Sequence, residues 1–95
     1  MRQIEVLMNQ AVQSKLAMTQ NNTSVSYDKW LNVSRVYLHG NHIATMSHDF
    51  SPVKGYVMLD TLRDYPTRTT CSRLTALGFK VNVKQGLIYL DGEAI

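Results

Sequence analysis

Three groups of side chains in this 95-residue chain are spaced closely enough for shared chemistry. His39 and His42 flank a Gly-Asn pair, and His48 follows a few residues on. Imidazoles gathered on one hairpin face are metal ligands by type. A structural metal site takes about four ligands, and no cysteine or carboxylate completes this set at a recognised spacing, so the expectation is exposed hairpin histidines and no metal. Cys71 has Arg68 and Arg73 beside it, neighbours that lower a thiol pKa. It also shares an apolar stripe with Leu74 and Leu77, where a lone cysteine serves as a small core residue. Asp60 and Asp64 have the separation of an acid–base pair. They are read at a strand end and in a turn closed by Pro66, where aspartates serve the backbone. With no phosphate loop, nucleophile elbow or HExxH, neither a catalytic residue nor a cofactor is expected.

The densest constellation is basic. From Arg63 to Lys84 the chain carries five cations (Arg63, Arg68, Arg73, Lys80, Lys84) against Asp64 alone, a net +4 within a total of +3, so the remainder sums to −1. Thr67, Arg68, Thr69, Thr70, Ser72 and Arg73 combine hydroxyls and guanidiniums at a predicted helix start, a setting suited to phosphate. Arg63, Arg68, Thr69, Arg73, Lys80 and Lys84 are therefore the candidate nucleic-acid contacts, with Tyr65 and Tyr89 available to stack on bases. The plainer reading is a solvated basic helix face with threonine caps, since Arg68 and Arg73 do not share one narrow stripe. A separate set, Trp30, Tyr37 and Phe50, has the residue types that anchor protein interfaces.

The elements that position these groups follow from periodicity. Ile4, Leu7, Met8, Ala11, Val12 and Leu16 recur at helical spacing, predicting an amphipathic helix over 3–18 ended by Asn21-Asn22. Val25 and Tyr27 alternate with serines as a short strand, and Asp28-Lys29 turns the chain. The segments 34–39 and 42–47 flank Gly40-Asn41, read as a two-residue hairpin turn pairing Leu38 with Ile43, Val36 with Thr45, Tyr37 with Ala44 and His39 with His42. A strand over 55–60 follows, then a short helix capped by Thr67 or Thr69 and closed by Gly78. Phe79, Val81 and Val83 alternate up to Gln85-Gly86, predicting a last hairpin with Val83 opposite Ile88, Val81 opposite Leu90, and Lys80 charge-paired with Asp91. The fold class is α+β: N-terminal helix, small antiparallel β-meander, short helix and C-terminal β-hairpin.

The length fits one domain, 1–95, with the helix over 1–20 peripheral or in contact with a partner. Hydrophobic residues at 44% and charged residues at 18% are ordinary for a globular protein. No apolar run approaches the ~20 residues that span a bilayer, and the polar Met1–Glu5 start lacks a signal-peptide core. The single cysteine excludes an intramolecular disulfide and points to a reducing, cytoplasmic setting.

The run from Thr67 to Leu77 (Thr-Arg-Thr-Thr-Cys-Ser-Arg-Leu-Thr-Ala-Leu), preceded by the hairpin from Val36 to Ala44 with its Tyr-Leu-His-Gly-Asn core, resembles a family of small proteins of tailed bacteriophages. The resemblance covers roughly residues 20 to 92 and implies expression in the host bacterial cytoplasm, where small phage proteins seize or block host machinery. Three readings follow. The first is a non-enzymatic accessory protein that docks nucleic acid or a host nucleoprotein through the basic surface. The second is a protein–protein inhibitor of a host defence or transcription complex, anchored by Trp30, Tyr37 and Phe50. The third is a virion-associated or self-assembling homodimer in which Met8 and Met18 meet a partner.

Overall fold

The structure, a computed structural model, describes residues 2–95. The first helix, α1 (Gln3–Gln13), buries Met8, Ala11 and Val12 of the expected stripe, together with Glu5. It stops before residue 18 because Lys15 adopts a left-handed φ of 56°. The Leu16 N–H reaches back to the Ala11 carbonyl at 2.9 Å and the Lys15 N–H to Val12 at 3.3 Å, the bonding of a Schellman cap. Leu16 is thereby left exposed. Met18–Gln20 becomes β1 instead of helix, and Asn21 (φ 53°) lies in the turn into β2 (Thr23–Asp28). Met8, assigned above to a partner, is fully buried in the chain's own core.

β3 (Val33–Leu38) and β4 (Asn41–Ser47) form the expected hairpin in a different register. The turn is His39-Gly40, both at positive φ (51° and 79°), and Leu38 pairs with Asn41 and Tyr37 with His42. A bulge then inserts Ile43, so that Val36 meets Ala44 and Arg35 meets Thr45. The bulge buries Ile43 and Ala44 together, which simple alternation forbids. The strand expected over 55–60 is β5 (Lys54–Val57), and the chain coils straight into α2 (Leu59–Asp64), which buries Leu62. Asp60 and Asp64 are therefore both helical, and Asp60 is ion-paired to Arg63 at 3.2 Å.

α3 (Arg68–Ala76) is capped by the Thr67 hydroxyl, which accepts the Thr70 N–H at 3.1 Å. It closes on Gly78 (φ 107°) in a second Schellman cap, with Phe79 N–H bonded to the Leu74 carbonyl. β6 (Val81–Lys84) and β7 (Leu87–Leu90) pair in the expected register about Gln85-Gly86, and β8 (Glu93–Ala94) adds a third strand. The expected charge pair between Lys80 and Asp91 is absent among the described residues. Only their backbones meet, Asp91 N–H to Lys80 carbonyl at 2.8 Å.

The fold is thus α+β, with one five-stranded sheet in sequence order and one three-stranded sheet. Cross-strand partners share a face. Thr23 with Leu38, Val25 with Val36 and Ala44, and Ser34 with Met46 and Gly55 define the core face. All three helices contribute to its cluster through Met8, Val12, Leu62 and Leu74. Gly55 lets Phe79, in the link from α3 to β6, pack against β5: a β-carbon there would stand 2.6 Å from Phe79 Cζ and 2.9 Å from Met46 Sδ. Gly55→Ala is expected to cost about 1–3 kcal/mol, the range for overpacking a filled core. Urea denaturation measures it, and a loss under half of the lower bound would mean that Phe79 and Met46 move aside freely.

Candidate binding surface

Of the six basic-surface candidates, Arg73 is not on the surface. It is 3% exposed, and so is its partner Glu5. Its Nη1 donates to Glu5 Oε2 at 2.8 Å, its Nε to Thr23 Oγ1 at 3.0 Å and its Nη2 to Asn22 Oδ1 at 3.4 Å. Ser72 donates its hydroxyl to the same Glu5 oxygen, and the Arg2 N–H donates to Glu5 Oε1. Burial alone would raise the Glu5 pKa. The hydrogen bonds from Ser72, Arg73 and Arg2, together with the Arg73 charge, outweigh it and hold the carboxyl below its ordinary value. Ser72 and Arg73 of the expected phosphate set are therefore part of an internal clamp, while at the helix start the Thr67 and Thr70 hydroxyls bond each other and Arg68 is exposed.

The other five candidates divide. Arg63 is exposed on α2 and held by Asp60, beside a groove shared with His42. Thr69 is half-buried on α3. Arg68, Lys80 and Lys84 are exposed around β6, Arg68 in one groove and the two lysines in the adjoining one. Tyr65 is half exposed, and Tyr89 lines the lysine groove.

The residues on the second face of the five-stranded sheet stand outside the core cluster that the helices join, and α2 borders this face beside His42. Reading across the strands, one row holds Ser24, Tyr37 and His42, the next Ser26, Arg35, Thr45 and Tyr56, and the last Val33, Ser47 and Lys54. Tyr37 lies over His42 with ring centroids 5.2 Å apart. The His42 Nε2 is 2.9 Å from both the Ala44 carbonyl and the Thr45 hydroxyl. A carbonyl only accepts, so Nε2 carries the proton. Burial lowers the His42 pKa, Arg35 lowers it further, and the Ala44 bond partly opposes them, leaving a neutral ring at pH 7.

At one end this face runs into two tied loops. Asp28 Oδ1 accepts the N–H groups of Trp30 (2.9 Å) and Leu31 (3.2 Å), and Oδ2 pairs with Arg35 at 3.1 Å. The Leu31 N–H foremost, then Arg35 and the Trp30 N–H, hold the Asp28 carboxyl below its ordinary value. Asn32 accepts from the Tyr27 hydroxyl at 2.7 Å and donates to Asp49 at 3.0 Å, and its carbonyl takes the His48 N–H. The loops so joined project Trp30, 87% exposed, with Leu31, Phe50 and Val53. Lys29 lies 5.5 Å from the Trp30 ring, and Lys54 lies 5.4 Å from Phe50 and 5.5 Å from Tyr56. Of the three expected anchors, Trp30 and Phe50 stand on these two joined loops, while Tyr37 lies two rows away near the opposite end of β3.

The histidines do not share one face. His39 is in the turn, His42 is stacked on the open face, and His48 Nε2 meets Ser34 Oγ at 2.8 Å beside Tyr27. Burial foremost lowers the His48 pKa. Cys71 is half-buried, and burial pushes its thiol pKa up, against the activation that neighbouring arginines suggested. Arg35, Lys54 and Tyr56 were missed as site residues, and His42 was weighed only as a metal ligand. The alternation Arg35/Tyr37 against Val36/Leu38 was the available signal for their face.

A family model described as Kyanoviridae Gp96 protein matches residues 1–95. No curated protein matches the chain. No solved structure matches it either. No helix among the described residues is long and apolar enough to cross a membrane.

Proposed function

The chain belongs to the Kyanoviridae Gp96 family of phage proteins, and from that premise we propose that it is a non-enzymatic protein of the infected cell's cytoplasm that holds single-stranded nucleic acid on its open sheet face. One observation carries the reading: on the open face and its adjoining tip, each aromatic ring has a cation or an imidazole beside it. Rings accept any base by stacking, and interleaved cations track the backbone, which is how sequence-tolerant single-strand binders work. Arg35 and Tyr37 stand on the central strand of the five, where a bound strand crosses the sheet. The basic residues around β6 then serve a different surface. The test is fluorescence anisotropy with a labelled oligothymidine, comparing wild type with Tyr37→Ala and Trp30→Ala. Salt-sensitive binding weakened by both substitutions supports the reading, and a flat titration with wild-type protein ends it.

A second reading rests on the tip alone. Trp30, Leu31, Phe50 and Val53 form an exposed apolar cluster of the type found at protein interfaces. It predicts a host protein partner lost with Trp30→Ala and indifferent to Tyr37→Ala.

A further inference from the structure

We propose that the free edge of β6 takes up an extended peptide strand whose alternate side chains are acidic. β6 borders the three-stranded sheet, with β7 on one side and no strand on the other. The two-residue turn makes Lys84 and Leu87 the pair that exchange hydrogen bonds, and the pattern alternates from there. The Asp91-to-Lys80 bond is in phase with it. Val81 and Val83 consequently direct their N–H and C=O groups away from β7, and no backbone group elsewhere among the described residues bonds to them. Exposed strand edges of this kind recruit an added strand, with main-chain bonds supplying affinity and side pockets supplying specificity.

The pockets are present. A groove of about 710 Å³ lies toward α3, walled by Cys71, Ala76, Val81 and Val83, with Arg68 also lining it. A second, of about 510 Å³, is lined by Lys80 and Lys84 with Phe79 and Tyr89. Both share Thr75, Val81 and Asn82, so they meet at β6. Side chains of an added strand alternate between faces. Those on the α3 side meet the apolar residues of that groove, with Glu5, Arg68, Ser72, Thr75 and Asn82 also in the wall, and those on the other meet the lysines. The nearby acids do not cancel this charge: Glu5 is committed to Arg73, and Asp91 makes no ion pair with Lys80. The occupant is therefore a segment of alternating apolar and acidic residues. This inference is independent of the open sheet face.

The experiment is fluorescence polarisation with a labelled hexapeptide of alternating Glu and Val, using a Lys/Val hexapeptide as control. Wild type is expected to bind the acidic peptide roughly tenfold more tightly than the basic one, and K80E/K84E to erase that preference, as for a few exposed ion pairs acting together. Val83→Pro removes an outward N–H without touching the ladder to β7, and should weaken binding roughly tenfold, about the worth of one hydrogen bond. Circular dichroism verifies each fold, and K80E/K84E decides where Val83→Pro does not fold. Equal affinity for both peptides, no binding of the acidic one, or undiminished binding by a folded Val83→Pro would overturn the proposal. So would a wild-type dimer in sedimentation that Val83→Pro dissociates, which would give the edge to a second copy.

Discussion

Arg73→Ala is expected to remove about 3–5 kcal/mol of folding stability, the usual cost of leaving a buried charge without its partner. For a domain of this size that lowers the melting temperature by roughly 15–30 °C. The loss is large because three donors leave at once. Glu5 loses its counter-ion, while Thr23 and Asn22 lose the guanidinium that joins them to α3. Arg68→Ala, one turn and a residue earlier but exposed, should change stability by less than about 0.5 kcal/mol. The pair Glu5→Leu with Arg73→Met should recover much of what Arg73→Ala loses, since a buried ion pair is often no better than apolar residues of similar volume. The pH dependence has a definite sign. The folded-state pKa of Glu5 is lowered, so its contribution is complete above the unfolded value of about 4.3 and disappears as pH falls through the folded value. Urea titrations at pH 7 and in the acid range should show that loss in wild type and a flatter dependence in Glu5→Gln. An Arg73→Ala protein within about 1 kcal/mol of wild type would contradict the buried clamp.

Tyr37→Ala should reduce affinity for a single-stranded oligonucleotide by about 5- to 150-fold, from a stacking contribution of about 1–3 kcal/mol per base. Two features argue for the upper half. Tyr37 lies over His42, so its removal also frees the imidazole from its stack. It also stands beside Arg35 on the central strand, where one strand of nucleic acid cannot avoid it. Lys29, Lys54 and Arg35 are the cations of this surface, and three phosphate contacts give a log–log salt slope of about −2. Arg35 shares its charge with Asp28, which makes the measured slope shallower. Affinity should therefore fall by up to roughly twentyfold between about 50 and about 200 mM salt. Tyr37→Phe keeps the ring and should bind like wild type. An equal loss for Phe and Ala would point to the hydroxyl and away from stacking.

How much of this could be seen in the sequence depends on how local each determinant is. The β6–β7 register was legible residue for residue, because Gln85-Gly86 and the Val81/Val83 alternation agree. The β3–β4 hairpin was legible as a hairpin but not in register. Gly40-Asn41 and His39-Gly40 are both acceptable turns by residue type, and the bulge at Ile43 decides between them through packing. The end of α1 was missed because Lys15 takes a left-handed conformation usually given to glycine. The start of α2, Leu59-Asp60, was read as the end of a strand, and the rest of that helix was given no element. The site suffered most from distance along the chain. Nothing near Arg73 announces Glu5, and a guanidinium written among threonines looks the same whether it faces water or a carboxylate. The aromatic–cation surface is likewise assembled from three strands and two loops.

The clamp also has a consequence for the order in which the molecule is built. The five strands follow one another through short connections, so that sheet can assemble from neighbouring segments as each is synthesised. Low sequence separation of this kind favours rapid formation. Glu5 is made 68 residues before its counter-ion, which arrives only with Arg73. Until then α1 carries a carboxylate on the side that must face the core, and its docking is opposed. α1 and α3 should therefore open and close as one unit in native-state hydrogen exchange, with matching protection in both helices. Independent opening of α1 would mean that Met8, Ala11 and Val12 hold it down without help from the far end of the chain.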